Sequence, residues 1–388
     1  MSKWLTTPLR GHITEVSIRK GETPAEILSV TNTDGFVRSL DVFDKQVFSQ
    51  DASNYKLVCF NELAYNPSRI NVGSVARCEF PQGGAVSPMY VVVRCRKTLL
   101  PQFLLYFLKS SVGLRHIGHR CVGAVRFMLR FGDLEQIELP LPPLSEQERV
   151  VRILGEAEAL RRLRAQASGR IEQLASTLFH EMLANASDVT EAPLEALLSR
   201  IDSGWSPVCH DEPAQPEQWG VLKLGAVTSG RFIETENKAL RPEEPAREQL
   251  EVKAGDVLFT RKNTKDLVAA TAYVWEARPR LMMSDLIFRL VPSNSGQLNS
   301  IYLTYALKEP NKRREVQSLA SGAAGSMPNI SKGRLLSIRI PLVSPALHEA
   351  FATHVAEIHQ LEAAQAASRQ RIDDLFRSLL HRAFQGEL

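Results

Sequence analysis

The sequence contains few cysteines, and none is arranged for a zinc site or a disulfide framework. Cys59, Cys78, Cys95, Cys121 and Cys209 form no CxxC pair, and three of them lie in apolar, strand-like stretches. Thiols in such stretches are usually reduced residues of the hydrophobic core. We therefore expect no metal site and a protein of a reducing compartment, the cytoplasm.

Long hydrophobic runs are also lacking. No stretch approaches the roughly 20 apolar residues of a membrane span, and the segment Met1–Pro8 has no apolar core of the kind found in signal peptides. The formal net charge of +4 over 388 residues is too small to indicate a nucleic-acid partner by itself. We expect no membrane partner.

Recognisable catalytic motifs are absent. The sequence has neither a Walker A loop nor a GxGxxG on a strand–helix turn. Asn66-Pro67 resembles the start of an amino-methyltransferase motif, but Ser68 and Arg69 break it. Glu251–Lys253 matches the end of a PD…ExK nuclease motif without a suitable upstream aspartate. We predict no catalytic residue and no bound cofactor.

What the chain does contain is an internal repeat. Residues 137–184 align with residues 338–385 at a constant shift of 201 positions, without a gap. The repeat continues upstream with loops of different length, for example in Leu104–Lys109 and Leu303–Lys308. A period of this length is far too long for a solenoid, whose repeats run roughly 20–50 residues. It indicates two whole modules, each a globular part followed by a long helix.

Each long helix follows a short apolar strand that ends in prolines. Ser145 with Glu148 has the spacing of a capping box, and Ser344-Pro345 provides the second start. Apolar residues then alternate three and four apart, which predicts a heptad seam and pairing of the two helices as an antiparallel coiled coil. Independent packing of each helix on its own module is the alternative. The predicted pairing residues are Val150, Ile153, Leu160, Ile171, Leu174, Leu178, Phe351, Ile358, Leu361, Ile372, Leu375 and Leu379.

The globular parts mix strand-like and helix-like stretches without regular βαβ alternation, which predicts an α+β fold. We divide the chain into a first globular domain (1–135), a strand end with the first long helix (136–185), a second globular domain (186–337) and a strand end with the second long helix (338–388). Two similar modules of this kind predict a pseudo-twofold arrangement.

Two polar loops follow equivalent strands of the two modules. Arginine and lysine can bind guanine edges or phosphates, and asparagine can read adenine, although a short basic loop is also common as plain solvated surface. A third, glycine-containing region precedes each Pro-rich strand end. The predicted DNA-binding residues are Tyr65, Asn66, Arg69, Asn71 and Arg126 in the first module and Arg261, Lys262, Asn263, Lys265, Ser326 and Asn329 in the second.

The order of these parts resembles the specificity (S) subunit of type I DNA restriction–modification systems. Leu139–Glu148, with its Pro-Pro-Leu-Ser-Glu-Gln-Glu block, and Gly325–Ser331 carry the resemblance, which extends over the whole chain. The second copy departs from it, because Val343–Leu347 replaces Pro-Pro-Leu-Ser-Glu.

The resemblance implies a non-catalytic subunit. Each globular part would be a target-recognition domain that reads one half of a split double-stranded DNA sequence. The helices would fix the spacing and bind two methyltransferase (M) subunits, and restriction (R) subunits would join them. S-adenosylmethionine and ATP would be bound by those partners. The alternatives are a single-chain methyltransferase or nuclease with unrecognised motifs, and a coiled-coil scaffold without a DNA role.

Overall fold

The computed structural model describes residues 4–31, 35–39, 51–120, 128–293, 298–322 and 327–388. The chain forms two compact units. Unit 1 consists of Met1–Gln166 with Ala366–Leu388, and unit 2 is Ala167–Gln365. Each unit therefore combines one globular part with part of both long helices, so the units do not follow the predicted division into separate globular and helical segments.

Unit 1 is built around a four-stranded sheet. Its elements are β1 (Thr6–Pro8), β2 (Ile13–Val16), β3 (Leu28–Thr31), β4 (Gly35–Arg38), β5 (Lys56–Val58), β6 (Leu63–Tyr65), the 3-10 turn Ile70–Val72, β7 (Val75–Arg77), β8 (Gly84–Val86), β9 (Val91–Cys95), α1 (Pro101–Lys109), α2 (Ser111–Arg120), α3 (Phe131–Leu134), β10 (Glu138–Pro140) and the first long helix, α4 (Leu144–Asn185), which continues into unit 2.

Unit 2 repeats this order with a longer connection after its first strands. Its elements are β11 (Thr190–Pro193), α5 (Leu194–Leu197), β12 (Leu198–Ser203), β13 (Gly220–Leu222), α6 (Gly225–Thr228), β14 (Asn237–Ala239), the 3-10 turn Glu248–Leu250, β15 (Val257–Thr260), β16 (Thr271–Tyr273), β17 (Leu281–Met282), β18 (Ile287–Pro292), α7 (Ser300–Lys308), α8 (Pro310–Ser318), α9 (Lys332–Leu336), β19 (Arg339–Leu342) and the second long helix, α10 (Pro345–Ala383), which continues into unit 1.

The central sheets of the two units have the same topology. The strand order is β2-β9-β6-β7 in unit 1 and β12-β18-β15-β16 in unit 2, and all neighbours are antiparallel. A two-stranded pair, β1-β10 or β11-β19, precedes each long helix. This shared order confirms the two similar mixed α and β modules that the repeat predicts.

Each central sheet is buried on both faces. In β6, Leu63 and Tyr65 face the core that contains the helices, while Ala64 faces a second core. In β15, Val257 and Phe259 face the helical core and Leu258 faces the other. Successive residues of a strand point to opposite faces, so a strand with two buried faces reads as a continuous apolar run.

In unit 1, the beginning of the first long helix and the end of the second lie in one hydrophobic core. Val150, Leu154 and Ala157 share this core with Phe376 and Leu380. Arg161 Nε donates to Asp373 Oδ1 at 2.6 Å. Contacts between the start of one helix and the end of the other are those that antiparallel pairing requires.

Unit 2 joins the opposite ends. Ala175 and Phe179 of the first long helix share a core with Val355 and Ile358 of the second. The rings of Phe179 and Phe351 lie 5.5 Å apart, edge to face. The helix ends also pack on their globular parts, which was the alternative to helix pairing. Both kinds of contact are therefore present, and a continuous coiled coil stays a prediction.

The predicted burial in a heptad seam is wrong for four of the pairing residues. Side chains 42–54 % exposed are found at Leu160, Leu174, Leu361 and Leu375. A straight helix turns by about 20° per heptad away from a 3.5-residue seam, and a helix that also packs on a globular part buries a wider stripe than two positions in seven. Of the other predicted residues, Val150, Phe351 and Ile358 are buried, whereas Ile153, Ile171, Leu178, Ile372 and Leu379 are half-buried.

Within the described residues, no helix is long and apolar enough to cross a membrane.

Candidate nucleic-acid interface

In unit 1, the predicted loop begins where β6 ends. Tyr65, its first predicted contact residue, is fully buried in the core beneath the sheet. The prediction that Tyr65 contacts DNA is wrong, because the strand alternation directs its ring to the same side as Leu63. The loop proper starts at Asn66.

Asn66 fixes the conformation of this loop, and two exposed residues follow it in the chain. Its side-chain Oδ1 accepts a hydrogen bond from the backbone of Ser68 at 3.0 Å, and its backbone N–H donates to Ser74. Such an asparagine turn fixes the backbone locally. Arg69 and Asn71 lie beyond it and are exposed. They remain candidates for DNA contact, whereas Asn66 is half-buried and occupied by the turn.

The corresponding loop of unit 2 is more basic. Lys265 is exposed, and Arg261 and Lys262 are half-buried. Asn263 is only 5 % exposed; its Nδ2 donates to Thr228 Oγ1 at 3.2 Å and its Oδ1 accepts from the backbone of Thr264 at 2.8 Å. Both ends of the amide are thus used within the protein, so the prediction that Asn263 reads a base is wrong.

Both loops are held by the same backbone hydrogen bond. Leu129 N donates to Pro67 O at 3.0 Å in unit 1, and Ile330 N donates to Arg261 O at 2.8 Å in unit 2. In each unit the donor belongs to the segment that precedes the short helix α3 or α9. The equivalence of the two loops, inferred from the repeat, therefore extends to their backbone contacts, and Pro67 and Arg261 occupy matching positions.

Asn329 in this segment of unit 2 bonds to the loop directly. Its Oδ1 accepts from Arg261 Nε at 3.0 Å, and its backbone forms an isolated bridge with Lys262. Asn329 is half-buried. Its side chain thus supports an arginine. Arg126 and Ser326, the two other residues predicted from this region, lie outside the described residues.

Two residues that lie beside the unit 2 loop are not among the site residues predicted from the sequence. Phe288, in β18, has its ring centroid 4.8 Å from the guanidinium carbon of Arg261. Lys332, at the start of α9, lies 5.7 Å from the same ring and donates to the carbonyl of Ile201. The signal for Phe288 is the strand register, which places Phe288 opposite Phe259. A single sequence does not contain that register.

The described residues hold no group of three or more His, Cys, Asp or Glu side chains that could bind a metal ion. Burial, the largest cause, lowers the pKa of Lys109 at the end of α1, and it lowers the pKa of Lys308 at the end of α7. These lysines occupy equivalent positions in the repeat. Both side chains are half-buried, and Lys308 Nζ donates to Gly230 O at 3.1 Å, so they are poorer candidates for DNA contact than the exposed loop residues.

Comparison with known proteins points to one family. Residues 70–173 match the model of the type I restriction modification DNA specificity domain. The type I restriction enzyme EcoEI specificity subunit of Escherichia coli is 37% identical over 154 residues, which cover 39% of this chain and 25% of that protein. The EcoKI specificity subunit of Escherichia coli strain K12 is 23% identical over 350 residues, covering 83% of this chain and 73% of that protein. The chain thus spans about a quarter of the first relative's length.

Solved structures share the fold. The S subunit of a type I restriction–modification system from M. genitalium superposes with a TM-score of 0.58 at 14% identity, covering 99% of this chain and 96% of that chain. A chain from a structural study of type I R-M complex assembly and conformational transition gives the same TM-score at 18% identity, covering 99% of this chain and 98% of that one. The chain thus carries a type I restriction modification DNA specificity domain at residues 70–173, and it shares its fold with a solved type I S subunit.

Proposed function

We propose that the chain is a non-catalytic subunit that recognises a bipartite target in double-stranded DNA, with one half read by each unit. The observation that carries this proposal is the pair of exposed polar loops held by the same backbone hydrogen bond, Leu129 to Pro67 and Ile330 to Arg261. The specificity domain matched at residues 70–173 includes Asn71 and supports it.

The residues proposed to contact DNA are the accessible ones. In unit 1 they are Arg69 and Asn71, and in unit 2 they are Arg261, Lys262 and Lys265. A side chain that reads a base should affect one position of the target. A lysine that binds phosphate should affect all sequences alike and contribute to the salt dependence of binding.

The test is to sequence the methylome of cells that carry the chain with its methyltransferase partner. The double variant Arg69→Ala/Asn71→Ala should relax or abolish recognition of one half-site, and Arg261→Ala should affect the other half only. Lys253→Ala is the matched control, because this exposed lysine precedes β15 whereas the loop follows it. A continuous, ungapped motif would contradict the proposal, as would a variant that changes both halves.

The long helices are proposed to bind two methyltransferase subunits. Leu160 and Leu361 occupy matching positions of the repeat, as do Leu174 and Leu375, and all four are exposed. Unit 1 presents Leu160 and Leu375, and unit 2 presents Leu174 and Leu361. Each unit thus presents one exposed leucine from each helix, which supports two equivalent binding surfaces, since exposed apolar patches often mark interfaces.

Stoichiometry tests this part of the proposal. The variant Leu160→Glu/Leu375→Glu should bind one methyltransferase subunit instead of two, and Leu174→Glu/Leu361→Glu should do the same. Val189→Glu, an exposed apolar residue outside both helices, is the control. Mass determination of the purified complexes gives the number of copies. A single copy bound to the unaltered chain would contradict the two-surface proposal.

The reactions themselves are assigned to the partners. We propose that S-adenosylmethionine and ATP are bound by the methyltransferase and restriction subunits, and that the complex acts on DNA in the cytoplasm. Methylation or cleavage of DNA by the purified chain alone would contradict this assignment and favour a single-chain enzyme.

A further inference from the structure

The guanidinium group of Arg261 is fixed from two sides. Its Nε donates to Asn329 Oδ1 at 3.0 Å, and its central carbon lies 4.8 Å from the centroid of the Phe288 ring. Phe288 is almost fully buried, so its ring is a fixed surface. A long side chain that is already oriented loses less conformational entropy when it binds.

Asn329 is itself held by the backbone. Ser321 N donates to Asn329 O at 3.0 Å, and Asn329 N donates back to Ser321 O at 2.9 Å. The next residue, Ile330, donates to the carbonyl of Arg261. The amide oxygen that accepts from Arg261 Nε is therefore attached to a backbone that is bonded on both sides.

This arrangement leaves the terminal fork of Arg261 for a ligand. Among the described residues, the hydrogen bond of its side chain is made through Nε, and its two terminal nitrogens have no acceptor. Two parallel N–H donors match the O6 and N7 acceptors of guanine in the major groove, and they also match two oxygens of a phosphate.

The comparison with unit 1 favours the base. The backbone position of Arg261 is occupied by Pro67 in unit 1, within the same hydrogen bond. A phosphate contact does not depend on sequence and would serve both units equally, whereas a base contact should differ between units that read different half-sites.

We propose that Arg261 reads one guanine of the half-site bound by unit 2 through O6 and N7, and that Asn329 and Phe288 are its positioning residues. This assignment rests on the proposed function. It identifies Asn329, predicted above as a DNA contact, as a residue that acts through Arg261.

The first experiment uses modified DNA and the unaltered protein. The full chain with its methyltransferase partner is titrated with duplexes that carry its methylation motif. Each guanine of the unit 2 half is replaced in turn by 7-deazaguanine, which lacks the N7 acceptor. We expect binding to weaken about fivefold at one guanine, since a bidentate contact loses one of its two hydrogen bonds. The Arg261→Gln variant should show no weakening at that position.

Three results would overturn the assignment. They are equal binding of all deaza-substituted duplexes, the same sensitivity in Arg261→Gln, and a unit 2 half-site without guanine.

A phosphate contact predicts a different pattern, in which one methylphosphonate substitution weakens binding of the unaltered chain but not of Arg261→Gln. If that pattern were found and no 7-deazaguanine substitution weakened binding, Arg261 would contact a phosphate, and the proposed guanine contact would be overturned. If the unaltered complex bound no bipartite motif at all, the proposed function would fail instead.

The second experiment tests the positioning role of Asn329. Asn329→Ala should lose most of the 7-deazaguanine sensitivity, whereas Asn329→Asp should retain it, because a carboxylate also accepts from Arg261 Nε. A residue needed only for folding would not be rescued in this selective way. The unit 1 half-site is the internal control and should be read normally by both variants. Equal sensitivity in Asn329→Ala and the unaltered chain would contradict the positioning role.

Discussion

The two units share a scaffold and differ in what they attach to it. Both have the same order of strands in the central sheet and an equivalent two-stranded pair before the long helix. In both, an equivalent backbone hydrogen bond holds the polar loop, from Leu129 to Pro67 in unit 1 and from Ile330 to Arg261 in unit 2. The second strand layer differs: unit 1 has the pairs β3-β4 and β5-β8, whereas unit 2 has a three-stranded sheet, β14-β13-β17. The sheet and helices therefore position the loops, whereas the loops and the outer strands differ between the units.

A buried position at the start of each long helix shows the same principle within the scaffold. Gln147 Nε2 donates to the carbonyl of Pro142 at 2.9 Å. His348, at the matching position of the repeat, accepts from the backbone of Val343, which matches Pro142, at 3.4 Å. Two different side chains thus connect the helix start to the preceding strand end. The connection is retained although the residue type is not.

The largest expected effect tests which face of the long helices is buried. Leu154→Ala should lower the free energy of unfolding by about 2–5 kcal/mol, because Leu154 is fully buried in the core of unit 1 and its truncation leaves a cavity. Val355 is the matching residue of unit 2 and is also buried. Its replacement by alanine should cost less, since fewer carbon atoms are removed. Urea denaturation of the full chain measures both.

The control for this prediction is Leu160→Ala. Leu160 lies on the same helix but is 53 % exposed, so its truncation should change stability by no more than about 0.5 kcal/mol. If Leu160→Ala lowered the free energy of unfolding more than Leu154→Ala does, the predicted heptad seam would be the buried face, and the burial of Leu154 would be contradicted.

The comparison of the units also shows what a sequence can predict. The constant shift of 201 residues identified both long helices, and the matching burial of Leu154 and Val355 follows it. The choice between neighbouring apolar positions was not determined. Ile153 and Leu154 both satisfy spacings of three and four, and only the surfaces that pack on the helix decide between them.

The two polar loops follow equivalent strands, as the sequence predicts, but the sequence does not predict which of their side chains are exposed. Tyr65 is the last residue of a buried strand, and the place where a strand ends depends on its pairing with β7 and β9. Asn263 is buried against Thr228, which is 35 positions away in sequence. Such long-range contacts leave no local signal, so an asparagine that closes a loop and one that reads a base look alike in sequence.

A smaller effect is expected at the start of the first long helix. Besides the bond to Pro142, Gln147 Nε2 donates to Thr98 O at 3.0 Å and its Oε1 accepts from Leu100 N at 2.9 Å. Gln147→Ala should destabilise the chain by about 1–3 kcal/mol, because buried polar groups lose their partners. Gln166→Ala, at an exposed position of the same helix, is the control. Chemical denaturation measures the difference, and equal stability of the two variants would contradict this role.

The smallest expected effect is a pH response that distinguishes the units at one position of the repeat. In unit 1, Glu158 accepts a hydrogen bond from the hydroxyl of Tyr106 at 2.9 Å. At the matching position of unit 2, the ring of His359 is stacked on Trp275 with centroids 4.2 Å apart. The two positions are equivalent in sequence, and an imidazole is the side chain whose charge ordinarily changes near neutral pH.

Burial is the largest cause that lowers the pKa of His359; Arg231 acts in the same direction, and Glu362 and Glu276 oppose it. The folded chain therefore binds the proton less readily than the unfolded chain. Stability should fall as the pH drops below the ordinary histidine pKa of about 6.5 and level off below the lowered one. His359→Phe should reduce this dependence. Thermal unfolding between pH 7.5 and 5 tests this, and NMR titration should place the pKa of His359 below 6.5. A pKa above 6.5 would show that the stacked ring is not held in its neutral form.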